Sequence, residues 1–254
     1  TIDTAARLNA SAVILHCGRV EEENKTRKLK ELYKCNLKDS LRYEELKKEI
    51  IEERKRKGTP YLEAALKSIQ EIFGYAKEKG VKIGIENRVY YHEIPSFEEM
   101  AMVLSQTDPE QVFYWHDTGH AQFLENLSLA VHQDYLKRYG GRLLGVHLHN
   151  VEGADDHKAV TISRGSVDFS LLKPYLKEDT LKVIEVHYPA AAEQIIESRK
   201  FLERCMVEEK TRIPVVAGQF YPASEVKLKS ELNLLIKKNP FKKDALFCLC
   251  LLYT

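Results

Sequence analysis

Short apolar runs alternate with segments of helical periodicity along most of this 254-residue chain. A short apolar run between polar turns predicts a buried strand, whereas apolar residues three and four positions apart predict an amphipathic helix. The predicted strands are residues 12–16, 81–86, 111–115, 143–148 and 181–186. The predicted helices are a helix tail within 1–10 and residues 60–79, 96–105, 125–138, 168–176 and 190–205. This alternation predicts an α/β fold with a parallel sheet and right-handed crossovers.

Local sequence signals set several of these boundaries. Thr59 and Pro60 are a favourable N-cap and first helical residue, and Ser96 with Glu99 forms a capping box for the next helix. Residues 21–58 are dense in charge and poor in apolar positions, so we predict one or two solvent-facing helices inserted after the first strand. Two further polar segments are predicted loops, 87–95 and 150–166.

The residues that carry chemistry are concentrated where the predicted strands end. In chain order the five strands end in or near His16; Glu86; Asp117 and His120; His147 and His149; and Glu185 and His187. Because the carboxyl ends of parallel strands meet at one edge of a barrel or open sheet, we expect these side chains to converge. Imidazoles and carboxylates without thiolates suit Zn²⁺, Mn²⁺, Co²⁺ or Fe²⁺. The sequence therefore predicts a divalent metal site.

Composition argues against several other classes of function. The formal net charge is +1, which argues against a nucleic-acid-binding surface. No apolar run approaches the ~20 residues that span a bilayer. The five cysteines are few and odd in number, which favours reduced thiols and a cytoplasmic protein over a disulfide scaffold. The sequence contains neither a glycine-rich phosphate loop nor a G-x-S-x-G nucleophile elbow.

Five short motifs together resemble the xylose-isomerase-like TIM barrels, a family that includes sugar epimerases and endonuclease IV. They are Ile85-Glu86-Asn87, Asp117-Thr118-Gly119-His120, His147-Leu148-His149-Asn150, Asp155-Asp156-His157 with Gly165 downstream, and Ile184-Glu185. The resemblance spans roughly residues 10–205 and implies a (β/α)8 barrel domain over residues 1–207. Only about five of the eight units are present, so strands one to three are expected to be missing at the N-terminal side.

The resemblance also implies roles for individual residues. It places the metal ligands at Glu86, Asp117, His147 and Glu185, on barrel strands five to eight. The same two glutamates would exchange a proton in a sugar or sugar phosphate isomerase or epimerase. His120 would contact a substrate oxygen, and three further side chains would help to orient the sugar: Arg88, His116 and His149.

Two alternatives remain open at this stage. An endonuclease IV-like phosphodiesterase at abasic DNA sites would bind further zinc ions, and the residues in suitable places are His16, His120, Asp155 or Asp156, and His157. The nearly neutral charge disfavours that reading. The other alternative is a catalytically incomplete barrel fragment. Its open sheet edges would favour association with further chains, for example as a homo-oligomer.

The C-terminal segment carries a second resemblance. Residues 212–222 resemble the opening of Memo-family proteins, the B component of the AmmeMemoRadiSam system. We therefore predict that residues 208–254 are a linker and a truncated Memo-like segment without a catalytic contribution. Within it, residues 224–237 are predicted to be helical and residues 247–253 to form a strand.

Overall fold

The computed structural model describes residues 1–206 and the backbone of residues 247–250. Its strands are β1 (Ala12–Leu15), β2 (Lys82–Glu86), β3 (Val112–Asp117), β4 (Leu143–Leu148), β5 (Asn150–Glu152), β6 (Asp155–Lys158), β7 (Leu181–Glu185) and β8 (Phe247–Cys250). Its helices are α1 (Ile2–Arg7), α2 (Lys25–Lys34), α3 (Leu41–Lys57), α4 (Thr59–Glu78), α5 (Phe97–Ser105), α6 (Thr118–Asn126), α7 (His132–Tyr139) and α8 (Ala192–Met206).

Six strands form one parallel sheet in the order β1-β2-β3-β4-β7-β8. The first five correspond to the five predicted strands. α-Helices connect β1 to β2, β2 to β3 and β3 to β4, whereas a hairpin and a 3-10 turn connect β4 to β7. This arrangement is half of a barrel and confirms the predicted partial TIM barrel. β8 pairs with β7, which confirms strand structure within the predicted strand at 247–253. The predicted helix at 224–237 and the resemblance at 212–222 lie outside the described residues, and the domain boundary at 207 stays a prediction.

The predicted helix 125–138 is wrong, because this region contains two helices. Asp117 is the last residue of β3, and its side chain accepts a hydrogen bond from the His120 backbone N–H at 2.7 Å. That N-cap starts α6 directly at the strand end, earlier than the apolar periodicity indicates. α6 ends at Asn126, and the left-handed backbone of Ser128 (φ 58°) turns the chain before α7 begins.

Two further sequence predictions need correction. The predicted loop 150–166 contains the antiparallel hairpin β5–β6, which lies outside the parallel sheet. The predicted helix 168–176 is a single 3-10 turn over Phe169–Leu172, capped by the Asp168 side chain. A two-strand hairpin is too short for its period-two pattern to stand out among polar residues.

The insertion after β1 consists of the two helices α2 and α3, as predicted, but it is not wholly solvent-facing. Leu29 and Tyr43 are completely buried, and the Tyr43 hydroxyl donates to the Leu127 carbonyl at 3.0 Å. The Arg54 guanidinium is also buried and pairs with Glu99. The insertion is therefore packed against the barrel through a few large side chains.

Trp115 fills the interior of the half-barrel beneath the strand ends. It is 1% exposed, and two glycines on the neighbouring strands, Gly84 and Gly145, leave room for its indole ring. A Cβ atom at position 145 would overlap the Trp115 ring and lie 2.9 Å from Leu181 Cβ. These glycines are needed for close packing, because the Trp115 ring occupies the space that a side chain at either position would fill.

Among the helices of the described residues, none combines the length and the apolar character needed to cross a bilayer. The buried apolar residues form two clusters on the helix-covered side of the sheet and around the hairpin. Buried helix faces of this kind are typical of α/β packing.

The packing of Trp115 predicts the effect of two glycine substitutions. Gly145→Ala should destabilise the protein by about 2 kcal/mol or more, because the added methyl group has no space. Gly74→Ala on α4 is the matched control, since nothing lies within 4 Å of its added Cβ. That control should be stabilised by about 0.5–1 kcal/mol through helix propensity. Urea unfolding measures both, and equal midpoints would contradict the packing argument.

Candidate metal centre

Four predicted ligands converge at the carboxyl ends of four adjacent strands, β2, β3, β4 and β7. Asp117 on β3 is in register with His147 on β4, while Glu86 ends β2 and Glu185 ends β7. Donor atoms of all four side chains lie within 4.8 Å of one another, and all four residues are buried. Residues with the same parity on adjacent strands share one face of a sheet, so this convergence follows directly from the pairing.

The His147 imidazole lies at the centre of the cluster. Its Nδ1 atom is 2.5 Å from Glu86 Oε1, 2.9 Å from Glu185 Oε2 and 3.5 Å from Asp117 Oδ2. The Trp115 indole packs edge-on against the His147 ring from below, with 5.0 Å between ring centroids. Three carboxylates therefore surround a single nitrogen, and the indole fixes the plane of that ring.

Charge interactions and hydrogen bonds within the cluster shift the pKa values of its members further than burial shifts them in the opposite direction. Burial alone raises the pKa of Glu86, but hydrogen bonds from His147 and His16 bring it far below its ordinary value. The pKa values of Asp117 and Glu185 are lowered for the same reason, with nearby histidines as the cause. Burial lowers the pKa of His147, yet the three carboxylates raise it to about 12. The metal-free cluster thus holds three carboxylates and one imidazolium.

This donor set fits a divalent cation. Three carboxylate oxygens and one imidazole nitrogen match the ligands preferred by Mn²⁺, Zn²⁺, Co²⁺ and Fe²⁺, and no described cysteine joins them. Three buried negative charges need compensation that the His147 imidazolium and the Arg88 guanidinium, which is shared with Glu93, provide only in part. The residues that would hold the ion are Glu86, Asp117, His147 and Glu185.

His120 lies beside the cluster with one nitrogen engaged. Its Nδ1 atom is 3.0 Å from the carbonyl oxygen of Asn87, and a carbonyl accepts only, so Nδ1 carries the proton. Its Nε2 atom is therefore an unprotonated acceptor in the neutral ring. Asn87 also pairs with both backbone groups of Asp117, at 2.8 and 3.0 Å. Asn87 thus positions Asp117 through its side-chain amide and the His120 imidazole through its backbone carbonyl.

His149 supports Asp117 and is not free to bind an ion. Its Nε2 atom lies 2.9 Å from Asp117 Oδ1, and its Nδ1 atom accepts from the backbone N–H of His157 at 2.9 Å. The N–H donor fixes the neutral tautomer, with the proton on Nε2 directed at the carboxylate. A Cβ atom at Gly119 would overlap the His149 ring, which explains the glycine in the Asp-Thr-Gly-His motif.

His157 is held in the left-handed region (φ 53°) between two other imidazoles. Its ring is parallel to His149, at 4.2 Å and 9°, and to His187, at 3.8 Å and 7°. Its carbonyl accepts from the His187 backbone N–H at 3.0 Å. Lone pairs of imidazole nitrogens lie in the ring plane, so stacked parallel rings cannot direct them at one ion. His157 and His187 therefore do not form a shared ligand pair as they lie.

Asp155 is not brought to the cluster, although the resemblance placed a further zinc ligand there. Its Oδ1 atom pairs with Lys30 at 3.1 Å and with Lys34 at 2.8 Å, both on α2. The neighbouring Asp156 instead lies 3.3 Å from His157 Nδ1. Asp155 consequently ties the β5–β6 hairpin to the inserted helix.

Three predicted site residues remain, namely His16, Arg88 and His116, and they differ in whether they contact the cluster. His16 contributes Nε2 at 2.9 Å from Glu86 Oε2, and Arg88 pairs with the same carboxylate and with Glu93. His116 points to the other face of the sheet, where it is completely buried and its Nε2 lies 3.0 Å from His132 Nε2. The structure thus groups His16 and Arg88 with the cluster but not His116.

The sequence did not indicate the supporting roles of several residues. Trp115 precedes Asp117 by two positions, and strand alternation was the signal that both share one face. Asn87 and Thr118 act through backbone contacts; the Thr118 hydroxyl lies 2.9 Å from the His149 carbonyl oxygen. His187, two residues past the end of β7, was expected at the strand end, but its stacking on His157 is a relation that sequence spacing does not reveal.

Comparisons with known proteins agree with this architecture. A family model described as xylose isomerase-like TIM barrel matches residues 1–205. The chain is 27% identical over 113 residues to the uncharacterized protein MJ1311 of Methanocaldococcus jannaschii, covering 44% of this chain and 38% of that relative. It is 29% identical over 96 residues to the uncharacterized protein y4fM of Sinorhizobium fredii, covering 37% of this chain and 30% of that relative.

Among solved structures, the chain is similar to a D-tagatose 3-epimerase-like protein with a TM-score of 0.54 and 20% sequence identity. The match covers 81% of this chain and 65% of that protein. At this identity the similarity concerns the fold. The chain spans less than two thirds of the length of these relatives.

The different surroundings of two aspartates predict different effects on metal content. Asp117→Asn keeps an N-cap for α6 but removes one donor charge, so the bound metal should fall at least about tenfold. Asp155→Asn removes the same charge from an ion pair with lysines and should leave the metal content unchanged. Elemental analysis after dialysis measures both variants. A comparable loss in Asp155→Asn would make that residue a ligand.

The raised pKa of His147 predicts proton release on metal binding. The metal-free imidazole holds a proton up to a pKa of about 12, and a ligating imidazole is neutral. Each bound ion should therefore release about one proton, and apparent affinity should rise about tenfold per pH unit between pH 7 and 9. The same imidazolium stabilises the metal-free fold below pH 6.5, a contribution that is lost as pH rises toward 12. Calorimetry in buffers of different ionisation enthalpy measures the release; binding without any would contradict the assignment.

Proposed function

The chain belongs to the xylose isomerase-like TIM barrel family, and from that premise we propose that it is a divalent-metal-dependent sugar or sugar phosphate isomerase or epimerase. The observation that carries the proposal is the position of Glu86 and Glu185. Both carboxylates contact His147 Nδ1, but they come from β2 and β7, which β3 and β4 separate in the sheet. Two bases that approach one point from separate strands are suited to opposite faces of one carbon atom.

The proposed reaction assigns a separate task to each group. When bound, the divalent ion supplies positive charge that polarises a sugar carbonyl. One glutamate removes the proton from the adjacent carbon and becomes protonated. The other takes up a proton from solvent water and gives it to the same carbon on the opposite face, and the first glutamate then releases its proton to solvent. Their lowered pKa values keep both carboxylates ionised before substrate binds. His120 Nε2 accepts from a substrate hydroxyl, because its other nitrogen is committed to Asn87.

Arg88 and His149 have supporting tasks in this proposal. Arg88 donates to the Glu86 carboxylate and, from this position beside the cluster, helps to orient the sugar. His149 holds Asp117 through its Nε2 proton. His116 has no direct task, since its ring faces His132 on the helix side. The proposed substrate is a small molecule, and the proposed location is the cytoplasm.

The endonuclease IV-like alternative receives less support from the site. It needs further zinc ligands, but Asp155 is paired with two lysines and His16 with Glu86. Elemental analysis of the wild-type chain separates the two readings. About one ion per chain agrees with an isomerase or epimerase, and about three zinc ions would favour abasic-site cleavage.

Proton exchange tests the two-base proposal directly. The chain is loaded with Mn²⁺ or Co²⁺ and screened in D₂O against ketopentoses, ketohexoses and their phosphates, with NMR detection of deuterium at the reacting carbon. Glu86→Gln and Glu185→Gln should each lower exchange by about 10²–10⁴-fold, because each variant lacks one base. Metal content is measured in parallel, so that loss of the ion is distinguished from loss of the base.

Glu152→Gln is the matched control for that experiment. Glu152 ends the nearby strand β5 and is exposed, so the same loss of charge should leave exchange unchanged. Normal exchange in either cluster variant would contradict the two-base assignment. Metal-loaded wild-type chain that exchanges no deuterium with any of these sugars would favour the catalytically incomplete fragment.

A further inference from the structure

The loop between β2 and α5, residues 87–96, carries Arg88 of the metal centre and is bonded to the inserted helices α2 and α3. Both backbone polar groups of Tyr91 in this loop are engaged by the insertion. The Tyr91 N–H donates to Thr26 Oγ1 at 3.1 Å, and the Tyr91 carbonyl accepts from Arg54 Nε–H at 3.2 Å. The insertion therefore holds the loop by its backbone as well as packing against the barrel.

Arg54 makes most of these contacts. Its side chain is 4% exposed, and its Nη2 donates to the Glu93 carbonyl at 3.3 Å and to Glu99 Oε2 at 2.6 Å. The same Glu99 oxygen accepts from the Ser96 N–H at 2.8 Å, so Arg54 contacts the middle of the loop and also its end. Acceptors in three directions match the rigid fork of a guanidinium, whereas an ammonium group is a single point charge.

Gly58 provides the space for this guanidinium. A Cβ atom at position 58 would lie 1.9 Å from Arg54 Nη1 and 2.9 Å from the Arg54 carbonyl oxygen. The backbone of Gly58 (φ −67°, ψ −35°) is one that any residue adopts, so the turn between α3 and α4 does not itself require glycine. The missing side chain at this position therefore serves the placement of Arg54.

Glu93 links the anchored part of the loop to the metal centre. Its carboxylate accepts from Arg88 Nη2 at 3.0 Å and from the Tyr90 backbone N–H at 2.9 Å. The Arg88 guanidinium in turn donates to Glu86, one of the two proposed bases. Because Arg54 holds the Glu93 backbone and Glu93 holds Arg88, a shift of the loop at residue 93 moves the group that orients Glu86.

A simple attachment of the insertion to the barrel does not need a buried charge. Tyr43 attaches the same insertion through a buried ring and one hydrogen bond to the Leu127 carbonyl. A buried ion pair such as Arg54–Glu99 is costly to desolvate and often contributes no more stability than apolar side chains of similar volume. The property that distinguishes the guanidinium is direction, since it fixes several acceptors at once.

We propose that Arg54 is a positioning residue for the metal centre. Through the backbone and the carboxylate of Glu93, it fixes Arg88 against Glu86, so the inserted helices determine the orientation of a base. The effect on catalysis rests on the proposed function, whereas the placement of Arg88 is a property of the metal-free chain and is measured there.

The first measurement is solvent exchange of the Arg88 Nε–H by NMR on the metal-free full chain. This group is buried, so its exchange is slow in the wild type. Arg54→Met removes all three contacts of the guanidinium, and Arg54→Lys keeps a charge for Glu99 without the fork. In both variants the exchange of Arg88 Nε–H and of the Tyr90 backbone N–H should accelerate at least about tenfold. Arg54→Lys decides the question if Arg54→Met does not fold.

Two matched controls separate positioning from general destabilisation. Arg56→Met removes the same residue type from the same helix, at a side chain that is 74% exposed. Tyr43→Phe removes a different hydrogen bond between the insertion and the barrel and should lower the urea midpoint. Neither control should accelerate exchange at Arg88 or Tyr90.

The second measurement is deuterium exchange into the sugar by the Mn²⁺-loaded chain. Arg54→Lys should lower kcat about 10²-fold with a smaller change in KM, because misorientation of Glu86 affects the proton transfer more than the binding of the sugar. The two controls should keep the wild-type kcat.

Three results would each overturn the proposal. They are unchanged N–H exchange in the Arg54 variants, equal acceleration in Tyr43→Phe, and a wild-type kcat in Arg54→Lys. A wild-type chain that exchanges no deuterium with any sugar would instead contradict the proposed function. The N–H exchange in the metal-free variants would then decide by itself whether Arg54 positions Arg88.

Discussion

The structure around the site depends on the balance of charge at His147 Nδ1. Glu86, Asp117 and Glu185 approach this one atom from three different strands. Three ionised carboxylates in a buried space repel one another unless a cation lies between them. An imidazolium meets that need in part, and a divalent ion meets it more fully. The carboxyl end of the half-barrel is therefore arranged around a cation, either the His147 imidazolium or a bound divalent ion.

A layer of neutral groups holds these charges in place. Trp115 supports the His147 ring from the interior, Asn87 pairs with the Asp117 backbone, and His149 donates to the Asp117 carboxylate. Each contact restricts the orientation of His147 or Asp117, which lowers the conformational entropy that these side chains lose when an ion binds. The hairpin that carries His157 belongs to the same layer, since the His149 ring accepts from its backbone.

Arg88 connects the metal centre to a neighbouring cavity that Arg88, Tyr90 and Tyr135 line. One side of its guanidinium pairs with Glu86, and another pairs with Glu93 at 3.0 Å in the wall of that cavity. A change in the position of this side chain would therefore change the electrostatic environment of Glu86.

The sequence alone predicted the parallel α/β sheet, because short apolar runs and helical periodicity are local signals. The family resemblance then singled out the four cluster residues among the side chains at the strand ends. The sequence did not determine which side chains near the cluster are engaged elsewhere. Asp155 pairs with α2 rather than with an ion, and His116 faces away, because the hairpin and the strand parity decide those directions. The stacking of His157 and the cavity beside Arg88 likewise depend on contacts between segments far apart in sequence. Only the tertiary structure brings those segments together.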